Sequence, residues 1–197
     1  MMRIARVGGF LAAAALLAVV ALQSQNAPAP SGPQFSADNR LILPKDYREW
    51  IFLSAGIGMT YGSPASAGEQ NFDDAFVNPI AYREFVQTGR WPDHTMFVLE
   101  QRKSSSSGTI NNGSVGHYQS DLISIGAAVK DKARFQGEWG YFAFGTKSET
   151  APVLPKTAPC YDCHSKNTAV ENTFVQFYPT LLPIAKAKGT LKPGFKE

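Results

Sequence analysis

Asn78–Arg102 reads NPIAYREFVQTGRWPDHTMFVLEQR and changes its hydrophobic period part-way along. The first half predicts a helix. Asn78 suits the N-cap, and Pro79 takes the first helical position. Ala81, Phe85 and Val86 can share one face, and Gly89 ends the element. The second half, Thr95–Arg102, is apolar first and polar later and predicts a strand. Outward from this unit, further strands are expected at Glu49–Ser54, Asp121–Val129 and Glu138–Thr146. The last is apolar on both parities, which implies burial on both faces. KSSSSGTINNGS, from Lys103, reads as an exposed connection, and SETAPVLPKTAP as a Pro-rich loop. A helix is expected from about Thr180 to a stop at Gly189, and there are no internal repeats. The expected class is α+β: mainly antiparallel β-sheet with a crossing helix and a C-terminal helical segment.

The chain has 197 residues, room for one ordinary domain with a real core. Arg3 and Arg6 precede an apolar run, Gly8–Leu22, of the length of a signal-peptide core and short for a membrane span. Residues 1–29 are therefore expected to be a signal peptide, 30–40 a spacer and 41–197 a single domain. Arg3 and Arg6 are the only charges in the first 29 residues, so the remainder carries 17 basic against 16 acidic side chains. No basic run is interleaved with aromatics, so nucleic-acid binding finds no support. The expected location is periplasmic or otherwise exported, with no membrane attachment after signal cleavage. Thirteen Phe, seven Tyr and three Trp can fill a core or line a pocket for a flat apolar ligand.

The only two cysteines lie in PCYDCHSK, two residues apart, with His164 directly behind Cys163. The spacing Cys-x-x-Cys-His suits a c-type haem. Cys160 and Cys163 are placed to add across the two vinyl groups, and His164 to bind the iron from one face. A disulfide is chemically possible in an oxidising compartment, but a Pro-rich loop precedes the motif rather than the strand of a thioredoxin-like site. A structural zinc wants four ligands, and only His94 and His117 remain as donors. One covalently bound haem c, with His164 as its proximal iron ligand, is the reading the motif favours.

The 33 residues after His164 contain neither Met nor His. A sixth ligand would have to come from upstream, from Met59, Met96, His94 or His117. None is compelling, so an open iron is expected. That favours ligand binding or catalysis over simple electron transfer.

Four stretches together resemble the cytochrome P-460 family: LILPKDYREWIFLSAG, NPIAYREFVQTGRWPDHTMFVLE, AAVKDKARF and PCYDCHSKNTAVENTFVQFYP. They fall in the family's order and spacing. The resemblance implies an exported haem c protein with a largely antiparallel sheet, typically a homodimer, whose iron is open opposite the motif histidine. It implies one of two activities: hydroxylamine oxidation, as in the family's enzymes, or binding of small gases such as nitric oxide, as in the related beta-type cytochromes c-prime. The expected partners are a small diatomic or nitrogenous ligand, a redox partner protein and a second copy of the chain.

Two positions depart from the enzymes. The lysine that cross-links to the porphyrin falls on Leu99, and the glutamate above the iron falls on Gly126. Both are expected to line the haem pocket. Lys103 shares the strand parity of Leu99 but lies one pleat repeat further on. Phe72, Phe76 and Phe97 are candidates to cap the distal face. With no cross-link and no base, nitric oxide binding is the first expectation. Hydroxylamine oxidation and electron transfer are the alternatives.

Overall fold

A computed structural model describes residues 32–59, 70–106 and 116–196. The expected signal peptide, 1–29, lies outside the described residues. The strands are β1 (Gln34–Phe35), β2 (Leu41–Ile42), β3 (Ile51–Ile57), β4 (Asn71–Val77), β5 (Met96–Ser105), β6 (Tyr118–Lys130), β7 (Trp139–Gly145) and β8 (Thr150–Ala151). The helices are α1 (Pro79–Thr88), α2 (Pro159–Asn167) and α3 (Leu182–Lys188). Strands β3 to β7 form one antiparallel sheet in sequence order, and β1, β2 and β8 form a second, smaller one. The class is α+β.

The five-stranded sheet divides two cores, because alternate residues of a strand face opposite sides. On one face Val77, Phe97, Trp139 and Tyr141 pack with Ala81 and Phe85 of α1 and with Leu181 and Ala185 of the C-terminal segment. On the other, Met96, Val98, Ala127, Val129, Phe142 and Phe144 pack with Leu41, Tyr47 and Trp50. Strand β7 feeds both cores, as its double parity predicts. The second core carries a buried carboxylate, Glu100, held by Tyr47 Oη, Arg48 and Arg102. Burial raises its pKa, but these three donors more than offset that and hold it below the ordinary glutamate value.

Helix α1 starts at Pro79 and stops where Gly89 turns left-handed, at φ 71°, with its N–H bonded to Phe85 O. A side chain at Gly89 would also run into Lys188 and Thr190, at 2.8 Å from each. Asn78 Oδ1 accepts the Met96 N–H at 2.8 Å, which ties the start of α1 to the start of β5. Val86, expected on the buried face, is 38% exposed, because Ala81 and Phe85 already fill the contact. Phe85 is fully buried against Trp91, with ring centroids 4.1 Å apart. Phe85→Ala is expected to cost about 3–5 kcal/mol, read as a lowered midpoint in denaturant unfolding with an unchanged slope.

Three expectations need correction. Part of the stretch read as a spacer, 30–40, belongs to the fold: β1 pairs with β2, and the Arg40 guanidinium bonds Thr150 Oγ1 and O. The strand expected from Glu49 begins at Ile51, because Tyr47–Glu49 forms a 3₁₀ turn. Lys103–Ser105, read as part of a loop, continue β5.

Candidate haem site

Helix α2 carries the motif. Pro159 presets its first turn, after a turn in which Ala158 N–H bonds Pro155 O. Cys160, Cys163 and His164 stand at i, i+3 and i+4, so the helix puts all three on one face. Both cysteines are free thiols and half-buried. Asp162 and Lys166 pair on the exposed face at 2.6 Å. The C-terminal carbonyls are tied down: Thr168 Oγ1 bonds His164 O at 2.6 Å, and Lys192 Nζ bonds Ser165 O at 2.9 Å and Thr168 Oγ1 at 2.6 Å. A cation at this end also suits the helix dipole.

The imidazole of His164 is held from three directions. Its Nδ1 lies 2.7 Å from Asn172 O. A carbonyl can only accept, so Nδ1 carries the proton and Nε2 keeps its lone pair. Tyr141 and Phe174 pack against the ring, with centroids at 4.5 and 4.7 Å. Burial lowers the imidazole pKa, and nearby Lys192 adds to this. The bond to Asn172 opposes it but does not prevail, so the neutral, ligating form is favoured.

The carbonyl that orients His164 is itself anchored to the sheet. Buried Lys130, at the end of β6, donates to Glu171 Oε2 at 2.7 Å and to Trp91 O at 2.8 Å. Trp91 Nε1 donates to Thr173 Oγ1 at 2.8 Å. Asn172 lies between these two fixed points.

Between α2 and the sheet lies a cavity of about 400 Å³, lined by Cys160 and His164 on one side and by Leu99 and Gly126 on the other. This is within the range of small-molecule and cofactor pockets. Its sheet wall is built in cross-strand rows. Ala75, Leu99, Gly126 and Ala143 are successive partners in one row. The neighbouring row is Val77, Phe97, Ala128 and Tyr141. A bulge in the β6–β7 pairing, between Ile125 and Gly126, bends the sheet at this wall. Leu99 and Gly126, which lie far from the motif in sequence, therefore share one cavity with His164. A Cβ at Gly126 would meet only Phe142 O, at an ordinary 3.5 Å.

The wall suits a large flat group with an apolar body. Leu99 is 43% exposed. The Tyr141 hydroxyl, also in the wall, is buried, and it alone among the described side-chain polar atoms is buried without a hydrogen-bond partner. Burial raises its pKa and keeps it protonated. An orphaned hydroxyl and an uncovered leucine in the wall of one cavity are what a large flat ligand there would cover. The residues present fit a haem: Cys160 and His164 line the cavity, Cys163 shares their helix face just outside the lining, and His164 Nε2 is free for an iron.

None of the upstream sixth-ligand candidates lines this cavity. Met96 is buried in the opposite core. Met59 lies over Gly56 at the far end of β3. His94 is exposed in a turn, and His117 is exposed with Nδ1 2.8 Å from Ser104 Oγ. Lys103 is outside the lining and pairs with Asp121 at 3.6 Å. Of the three expected capping aromatics only Phe97 lines the cavity. Phe72 and Phe76 have the opposite parity to Ala75, and Phe76 packs on Tyr47 and Phe52. Sequence reading missed Tyr141, Asn172, Phe174, Gln101 and Ser124 as wall residues. The only signal for the first was its place in a doubly buried strand.

An antiparallel sheet that faces a Cys-x-x-Cys-His helix across an apolar cavity defines a haem protein built on a sheet. The cytochrome P460 family model matches residues 44–175, and the chain belongs to that family. It is thus a haem c cytochrome. The match takes in the motif, Leu99 and Gly126. No curated protein matches the chain significantly. Among the described residues no helix is long and apolar enough to cross a membrane.

Proposed function

We propose that this is an exported cytochrome that carries one haem covalently through Cys160 and Cys163. His164 is its proximal ligand, its distal side is open, and it binds small ligands such as nitric oxide. The observation that carries the reading is the composition of the cavity. Among the described residues Met59, Met96, His94 and His117 all lie outside it, and the row Ala75, Leu99, Gly126, Ala143 presents only short or apolar side chains. The bound iron supplies a Lewis-acidic site that changes oxidation state. The chain's part is to hold His164 Nε2 in one orientation, through Asn172, Tyr141 and Phe174, and to keep bases away from the ligand. In this reading the chain works in the periplasm or an equivalent compartment, pairs with a second copy, and exchanges electrons with a redox protein.

The test is to express the protein with haem c maturation, reduce it and titrate it with nitric oxide and carbon monoxide. One equivalent of each per chain, with a Soret shift, is expected. A reduced protein that binds neither would overturn the proposal.

A further inference from the structure

One pleat repeat beyond the apolar row, roughly 7 Å along the strands, the sheet carries a polar row. Asp73, Gln101 and Ser124 are direct partners across β4, β5 and β6. Gln101 and Ser124 line the cavity that holds His164, Leu99 and Gly126. The Gln101 amide Nε2 donates to Asp73 Oδ1 at 3.1 Å, and Ser124 Oγ donates to Gln101 Oε1 at 3.5 Å.

These contacts fix which way round the amide sits. Turning it over would set its oxygen against the Asp73 carboxylate, which can only accept while ionised. One N–H is taken by Asp73, and among the described residues the second has no partner. The wall around it offers Ala75, Leu99, Gly126 and Ala143, none with a polar side chain. The row thus delivers an oriented hydrogen-bond donor, and no base, to a cavity whose sheet side otherwise carries, besides Ser124, only the Tyr141 hydroxyl, on the ring that packs against His164.

We propose that Gln101, oriented by Asp73 and Ser124, is the specificity-determining residue of this cavity, favouring small ligands whose outer atoms accept a hydrogen bond, the nitrogen oxyanion nitrite in particular, over carbon monoxide. The inference rests on the open-site reading. A donor contributes most to an anionic acceptor, where hydrogen bonds are shorter and stronger, and almost nothing to carbon monoxide, a poor acceptor.

The test uses the haem-loaded full chain and three variants: Gln101→Leu, which removes the donor at similar size; Gln101→Glu, which replaces it with an acceptor; and Asp73→Asn, which lifts the constraint on the amide. Ferric proteins are titrated with nitrite and ferrous proteins with carbon monoxide, and the C–O stretch of the carbon monoxide form is recorded. Gln101→Leu is expected to weaken nitrite about tenfold or more and to leave carbon monoxide affinity within about twofold. Its C–O stretch should rise, because a nearby donor lowers that frequency. Gln101→Glu should weaken nitrite further. Asp73→Asn should shift the stretch in the same direction by less, a change that a merely structural role would not produce.

Unchanged nitrite affinity in Gln101→Leu overturns the inference while leaving the open site intact. So does a parallel fall in both affinities. A wild-type protein that binds neither ligand overturns the open-site reading and this inference with it.

Discussion

Replacing Cys160 and Cys163 together by alanine is expected to take covalently attached haem from one per chain to none. No other cysteine exists to substitute; Cys160 lines the cavity, and Cys163 shares its helix face with Cys160 and His164. The experiment is to denature the matured protein, extract it with acidic organic solvent and weigh the chain. Wild type keeps the mass of one haem, and the double variant should have lost it. Helix α2 buries none of its residues fully, and Cys160 only flanks the first core, so the variant should still fold. A double variant that retains covalent haem would show that attachment runs through another residue.

The second large effect is a gain. Gly126→Glu is expected to raise the rate of hydroxylamine oxidation with an artificial electron acceptor by about 10²-fold or more, the usual contribution of a positioned acid–base group. The backbone admits the change: the new Cβ meets only Phe142 O at 3.5 Å, and no left-handed conformation is involved. The carboxylate would enter the row between Leu99 and Ala143. No gain in a variant that still loads haem would mean that a base at this position does not limit the reaction.

Adding Leu99→Lys tests the other departure from the enzymes. Leu99 sits half exposed in the same row, so a lysine there can reach into the cavity. A further covalent bond to the porphyrin, visible after proteolysis, is the expected outcome.

Helix α1 was legible because both ends carry backbone chemistry: a proline at the first position and a glycine that must turn left-handed. Strand β7 was legible because a strand that serves two cores shows apolar residues at both parities. Strand β4 was not, because NFDDAFV places Asp73 and Asp74 side by side, where no alternation survives. Its carboxylates are instead accommodated by Gln101 and Gln119, partners distant in sequence. Missing β4 also explains the misplacement of Phe72 and Phe76: without the strand, their parity relative to Ala75 cannot be assigned. The outer half of the β5–β6 hairpin is held by polar cross-strand partners such as Ser104 and Gln119, which give no hydrophobic signal.

At the site, the motif named its own residues, and family order located Leu99 and Gly126. The orientation of His164 had no readable trace, because its acceptor is a main-chain carbonyl and any residue supplies one. What fixes that carbonyl, the Lys130–Glu171 pair, joins residues 41 apart.

The most direct test of the central claim, one axial ligand from His164 and an open opposite side, is the coordination number of the iron in matured protein, read by resonance Raman and electron paramagnetic resonance in both oxidation states. A five-coordinate, high-spin ferrous iron and a high-spin ferric iron are predicted, with the histidine signature lost in His164→Ala. A six-coordinate, low-spin spectrum in both states would contradict the account, since it would require a second protein ligand although Met59, Met96, His94 and His117 all lie outside the cavity.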